Sequence, residues 1–273
     1  MVAVDLFEVR ETLASLEAWQ SFVADNAWVI DPDYIGRIVA AAKTRGVYSF
    51  FADSTFPAVV EGENYRESIV SNGLSSRARA VLDEVIQEVG DDKSRRILAL
   101  EGITPFALAV RGRYPYAICT EYFQTEEDRA RFFPVPHLDI HDAAFPDSVF
   151  DVVVSNDVLE HVPRLQRALR ESCRILKRGG VCLATFPFAY NTLETSVRAV
   201  ATADKIVHLA PPDYHGNPLD SKGSLVFQIP GWDILDTCRN AGFQSAEIVF
   251  VSSGTRGITG ADCAGIFILR AVA

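Results

Sequence analysis

From residue 96 onward the chain alternates short, fully apolar runs with amphipathic stretches, and this alternation restricts the fold more than any other feature. "RILAL" leads into the helix-like "TPFALAVRGR", and "YAICTE" into "TEEDRARFF". "FDVVVSN" leads into "VPRLQRALRESCRILK", where Leu165, Leu169, Cys173 and Leu176 share one face. A short "PVPHL" run precedes an irregular acidic loop, and "RGG" turns the chain into "VCLATFPF". Strands that are apolar along their whole length are buried on both faces, which predicts a parallel sheet covered by helices on each side. The last two apolar runs, "FQSAEIVFVSSG" and "CAGIFILRAV", have no helix between them and read as a β-hairpin. The expected class is α/β, doubly wound, with a mainly parallel sheet ending in that hairpin.

The flanking regions are less regular. Residues 1 to about 50 read as helical, with Val9, Leu13, Leu16, Trp19 and Phe22 near one stripe and a second helix from Pro32 to a stop at Gly46. Residues 47 to 75 mix turns with short β-like runs, and a helix is expected over roughly 76–89. The stretch 187–229, rich in Pro, Tyr, His and Asn, interrupts the strand–helix rhythm, and long insertions after a strand's C-terminal end commonly carry substrate contacts. The expected organisation is a helical N-terminal extension or cap, 1–75, on a domain spanning 76–273 with the insertion 187–229.

Size and charge narrow the function. At 273 residues and a mean hydropathy of +0.10 the chain is long enough to bury a sizeable core. A net charge of −10 argues against non-specific nucleic-acid binding, which needs basic surface. The basic series Arg164, Arg167, Arg170, Arg174, Lys177 and Arg178 reads as a solvated helix face. The five cysteines contain no CxxC pair and sit largely in apolar runs, as expected for buried thiols of a cytoplasmic protein. The N-terminal stretch lacks the apolar core of a signal peptide, and no apolar run approaches the ~20 residues a membrane span needs.

Four polar features fall at the C-terminal ends of successive expected strands, the edge where open α/β sheets bind ligands. The first is the turn "LEGITP", holding Glu101, Gly102 and Thr104. The second is Glu121, placed to accept from ribose hydroxyls. The third is Asp139–Ile140, a carboxylate and a backbone N–H suited to an adenine edge. The fourth is "SNDVLEHV", with Asn156, Asp157, Glu160 and His161.

In this order the stretch "LDIHDAAFPDSVFDVVVSNDVLEHVPRLQRALRESCRILKRGGVCLATFPF" resembles the class I S-adenosylmethionine-dependent methyltransferases. The resemblance covers roughly residues 76–273 and is strongest over 137–187. It implies a Rossmann-like, mostly parallel seven-stranded sheet with an antiparallel C-terminal strand, and S-adenosylmethionine as cofactor. It further implies that Glu101, Gly102 and Thr104 lie in the loop beneath the methionine moiety and that Glu121 holds the ribose. Asp139 and Ile140 would frame the adenine, with Asn156 and Asp157 under the sulfonium side. The first loop departs from the glycine-rich pattern: Ala99 replaces the usual acidic residue, and Ile103 and Pro105 replace two glycines, so the turn must run differently. The Glu-x-x-Thr-Pro loop and the insertion "DYHGNP" are similar to members associated with sugars and surface polysaccharides.

Methyl transfer from a sulfonium is a direct displacement, so alignment and water exclusion matter most. A hydroxyl acceptor also benefits from a general base, for which His161 and His215 are the candidates. His208 is a third histidine placed beyond the core motifs, whereas His137 and His141 read as structural. No metal site is expected from the His137–Asp139 or 139–142 spacings. The leading expectation is O-methylation of a small or glycan-like hydroxyl substrate, with the first 75 residues capping the active-site mouth or forming a homodimer surface. A catalytically silent binding or assembly protein with the same fold is the alternative. A nicotinamide-dependent dehydrogenase is disfavoured by the absence of GxGxxG.

Overall fold

A computed structural model describes residues 6–217 and 219–273. Residues 1–5 of the N-terminal stretch and Pro218 of the insertion, both used in the sequence reading, lie outside the described residues. The central sheet has seven strands: β1 (Glu8–Leu13), β2 (Ile97–Ala99), β3 (Ile118–Cys119), β4 (Phe150–Asn156), β5 (Leu176–Thr185), β6 (Ser245–Ser253) and β7 (Ile266–Val272). Their order across the sheet is β1-β6-β7-β5-β4-β2-β3. The β5-β4-β2-β3 half is parallel, and β7 runs antiparallel to both neighbours. The architecture is Rossmann-like and doubly wound, with the antiparallel C-terminal strand the sequence predicts.

Among the described residues seven α-helices of six or more residues accompany these strands: α1 (Leu16–Asp25), α2 (Pro32–Arg45), α3 (Ser76–Val89), α4 (Pro105–Arg113), α5 (Glu126–Arg131), α6 (Leu165–Ile175) and α7 (Ile234–Ala241), with a single helical turn at Tyr65–Ser68. Alternate side chains of the buried strands feed two cores. Leu98, Val153, Cys182, Phe250 and Leu269 pack with Trp19 of α1, Leu169 of α6 and Leu235 of α7. Ile97, Ala99, Val152, Val154 and Ile268 pack with Val81 and Val85 of α3 and with Phe106 and Val110 of α4. This two-sided covering is the physical meaning of the unbroken apolar runs.

Two expectations are corrected. Residues 8–13, expected within a helix, form β1 and pair antiparallel with β6, so the N-terminal segment supplies an edge strand as well as helices. Helix begins only at Leu16, where the Ser15 side chain accepts from the Ala18 N–H at 3.2 Å. The expected strand "PVPHL" shrinks to a single bridge between Glu121 and His137. Pro134 and Pro136 have no N–H to give a ladder; Pro136 contributes only its carbonyl, which accepts from the Glu121 N–H at 2.9 Å. The "RGG" turn lies inside β5, where the ladder to β4 skips between Phe150 and Val152 and Gly179 takes φ +75°. The terminal hairpin is present, β6 and β7 pairing from Ser245 with Val272 to Val251 with Ile266.

The segment between α2 and α3 carries two small hairpins, Val47–Ser49 with Ser54–Phe56 and Val59–Val60 with Ile69–Val70. Buried Arg79 of α3 fastens it to the sheet domain by donating to the carbonyls of Ile69, Leu74, Arg256 and Gly257 at 2.6–3.1 Å. Burial pushes this guanidinium down to about 10, still charged at neutral pH, and its backbone acceptors take the place of water. Ser76 adds a second tie, donating to the Thr259 carbonyl at 2.8 Å and accepting from the Thr259 N–H at 2.9 Å.

Trp19 joins α1 to the far half of the sheet, with its ring 4.9 Å from Phe267 and 5.4 Å from Phe250, and it is 1% exposed. Trp19→Ala is expected to cost roughly 3–5 kcal/mol, read from the urea midpoint. A loss under about 1 kcal/mol would show that α1 is not integral to the core.

Candidate functional site

The turn after β2 is built by side chains. The Glu101 carboxylate accepts from the Thr104 hydroxyl and from the Asn156 side-chain amide at the end of β4. Thr104 also caps α4, its oxygen accepting from the Ala107 N–H at 3.2 Å, with Pro105 in the first turn. One side chain thus ties β2, the start of α4 and the end of β4 together. Burial raises the Glu101 pKa, opposed by the Thr104 and Asn156 hydrogen bonds and by the charge of Arg77. Gly102 is required by close approach: a Cβ there would lie 2.4 Å from Val135 Cγ1 and 3.3 Å from the Cys119 carbonyl oxygen.

Glu121, at the end of the β3 region, accepts from the Gly102 N–H at 3.2 Å, so the expected ribose-binding carboxylate is anchored to the expected methionine-binding loop. Burial raises its pKa, and the Gly102 N–H opposes that shift. Asp139 accepts at one oxygen from the His141 N–H at 2.9 Å and lies 2.8 Å from His141 Nδ1. Ile140 beside it is buried. The loop carrying them is held from α6, where Arg167 donates to the His141 carbonyl at 2.7 Å and Arg174 to the Ala143 carbonyl at 2.9 Å. Part of the basic series expected as a solvated helix face therefore organises this loop. His137 is structural, its Nδ1 accepting from the Phe123 N–H at 3.1 Å.

Asp157 is the electrostatic centre. Its backbone takes φ +50°, a left-handed conformation that Asp tolerates better than most residues, and its N–H donates to the Thr185 carbonyl at 3.0 Å. The Arg66 guanidinium grips its carboxylate with two hydrogen bonds of 2.6 Å, and Arg77 approaches to 3.3 Å. Glu67 bridges both arginines, at 2.7 Å from Arg66 and 2.6 Å from Arg77. Burial alone would raise the Asp157 pKa, but the charges of Arg66 and Arg77 overrule it and hold the carboxyl well below the usual carboxylate range. Arg66 and Arg77 were not found by sequence reasoning. The only available signal was "YRES…SRARA" lying just ahead of the regular region, with nothing to show that it folds onto the β4 end.

Beyond Asp157 the chain makes a short 3-10 turn, Leu159–His161. Glu160 is fully buried, and neither carboxylate oxygen has a hydrogen-bond partner. Burial, followed by the Asp157 charge, pushes its pKa up to about 8. His161 Nδ1 lies 2.9 Å from the Leu225 carbonyl, and burial lowers its pKa. The insertion returns to this point through the hairpin Tyr214–His215 with Ser224–Leu225, which puts the rings of His215 and His161 4.9 Å apart. The two histidines expected as general-base candidates therefore meet, although 54 positions of sequence separate His161 from His215. His208 stays on an exposed strand, Ile206–His208.

Residues 107–184 match the model of a family described as "Methyltransferase domain". No curated protein matches the chain. Among solved structures, similarity extends to an S-adenosylmethionine-dependent methyltransferase from Mesorhizobium loti, at 14% identity over 73% of this chain and 98% of that one, with a TM-score of 0.46. It extends also to DesVI of Streptomyces venezuelae, at 14% identity over 71% and 91%, with a TM-score of 0.45. The YcgJ protein of Bacillus subtilis is 23% identical over 40% of this chain, with a TM-score of 0.32, and the match spans only 51% of that protein.

Combining Asp157→Asn with Arg66→Gln in a double-mutant cycle should return a coupling of roughly 1–3 kcal/mol. Because the folded Asp157 pKa is depressed, the pair's contribution is complete above the unfolded value of about 3.9 and is lost as pH falls below it. Unfolding curves that move equally with pH in the wild type and in Asp157→Asn would contradict this assignment.

Proposed function

We propose that the chain is an S-adenosylmethionine-dependent methyltransferase that acts on a hydroxyl of a small or glycan-like molecule. The reading is carried by one observation: Glu101, Gly102, Glu121 and Asn156, from three neighbouring strand ends, are joined by direct hydrogen bonds into a single polar edge. The match of residues 107–184 to a methyltransferase model supports it, since that stretch contains Glu121, Asp139, Ile140, Asn156 and Asp157. In this reading 76–273 is the methyltransferase unit with 187–229 as its insertion, and the 1–75 extension contributes Arg66.

The residues present fit the cofactor's chemistry. Gly102 lets the loop pack against Val135 and the Cys119 carbonyl, where any Cβ would need space already taken. Glu121 offers acceptors to vicinal hydroxyls, and Asp139 with the Ile140 N–H can read an adenine edge. Arg66 and Arg77, matched by Asp157 and Glu67, hold the Asp157 carboxylate ionised at the β4 end. S-adenosylmethionine supplies an electrophilic methyl group on a positively charged sulfur. The chain's own work is to orient the acceptor in line with it, exclude water and remove the hydroxyl proton. His161, kept neutral near pH 7 by burial, and neighbouring His215 are the groups assigned to that proton.

Among the described residues no helix is long and apolar enough to cross a membrane, and all five cysteines are free, in keeping with a cytoplasmic enzyme. Isothermal titration with S-adenosylmethionine and S-adenosylhomocysteine is expected to show saturable binding to one site. Glu121→Ala should weaken it at least tenfold. Absence of binding at millimolar ligand would favour a silent scaffold of the same fold, and unchanged affinity in Glu121→Ala would remove that residue from the ribose role.

A further inference from the structure

Glu160, His161 and His215 bring one carboxylate and two imidazoles together, with one ligand atom from each lying within 4.8 Å of the others. The Leu225 carbonyl 2.9 Å from His161 Nδ1 can only accept, so Nδ1 carries the proton and Nε2 carries the lone pair. That Nε2 is buried, has no hydrogen-bond partner and lies 3.8 Å from Glu160 Oε1, which also lacks one. A lone pair and a buried carboxyl facing each other in a water-poor site call for a proton or a metal ion between them, and 3.8 Å is longer than a proton shared in a hydrogen bond would span. A carbonyl holding the far nitrogen of an imidazole is the usual arrangement behind a metal ligand, because it fixes both tautomer and ring orientation. The His215 backbone is fixed as well: Gly223, at φ +80°, packs so close that a Cβ would lie 2.8 Å from the His215 nitrogen.

We propose that Glu160, His161 and His215 form a binding site for a divalent transition-metal ion of the zinc or cobalt class. Two imidazoles and a carboxylate suit such ions better than magnesium or calcium, which prefer all-oxygen sets. With ligand bonds of about 2.0–2.2 Å, the three atoms need to close by only about an ångström around the ion. Three protein ligands leave a coordination position open, the pattern of sites that hold a substrate oxygen. Contact of that position with the hydroxyl to be methylated rests on the methyltransferase reading, with the ion then taking over from the two imidazoles the task of acidifying that hydroxyl; the ligand set does not.

The test uses full-length, tag-free protein stripped with a chelator and titrated with Co²⁺, followed by visible absorption and calorimetry. One equivalent is expected to bind, with d–d bands and no thiolate charge-transfer band, since all five cysteines lie elsewhere and are uncharged. His215→Ala, on a half-buried hairpin, and Glu160→Gln, which keeps the side chain's shape, should each weaken binding at least tenfold, whereas His208→Ala should not. S-adenosylhomocysteine is titrated in parallel; its failure to bind while Co²⁺ still does would sink the methyltransferase reading alone. No Co²⁺ binding at 1 mM, wild-type affinity in His215→Ala, or a thiolate band would overturn the metal site.

Discussion

Parallel pairing of β2, β3, β4 and β5 is the constraint on which the rest of the structure depends. Strands that run the same way end on the same edge, so residues far apart in sequence arrive side by side without special folding of the loops. Glu101 and Asn156 meet because β2 and β4 are neighbours in register, Ala99 opposite Val154. Glu121 reaches Gly102 because β3 adjoins β2, with Ala99 opposite Cys119. Covering both faces with helices then keeps this edge as the place where polar groups collect, since the strand interiors are occupied by apolar side chains on each side.

The edge handles charge unevenly. At Asp157 two guanidinium groups outweigh the burial cost of the carboxylate and keep it ionised. Three residues on, Glu160 is buried with no cation against it, and its acidity moves the opposite way. The same short segment therefore holds one satisfied and one unsatisfied carboxylate. Arg66 and Arg77 account for the difference, and both are held by the Arg79 and Ser76 ties that seat α3. Backbone placement and electrostatics are thus coupled through a helix that itself carries part of the charge.

Much of the sheet, and several of the polar residues gathered at its strand-end edge, were legible in the sequence. The runs 97–100 and 152–154 ahead of Glu101 and Asn156 are apolar and followed by helix signals, so strand positions and strand-end residues could be read together. β1 was not legible as a strand because Val9 and Leu13 are four positions apart, a spacing that suits a helical stripe and an alternating strand equally. The "PVPHL" run looked like a strand by hydropathy, but its prolines cannot donate to a ladder. Arg66 escaped notice because its importance comes from a partner 91 positions away. The His161–His215 encounter was hidden for a similar reason: each residue was readable as a candidate, but only the fold of the insertion brings them together.

The edge strand β1 has a consequence for how the chain matures. Its partner β6 lies near the other end of the sequence, and the Glu8 side chain accepts from the Thr255 N–H across 247 positions. On the ribosome, β1 must therefore wait until residues up to 247 positions later have been made before it can pair. The Arg66–Asp157 clasp and the central parallel strands can close much earlier. Assembly of the polar strand-end edge can thus precede the pairing of β1 at the side of the sheet, and until then β1 remains an unpaired strand.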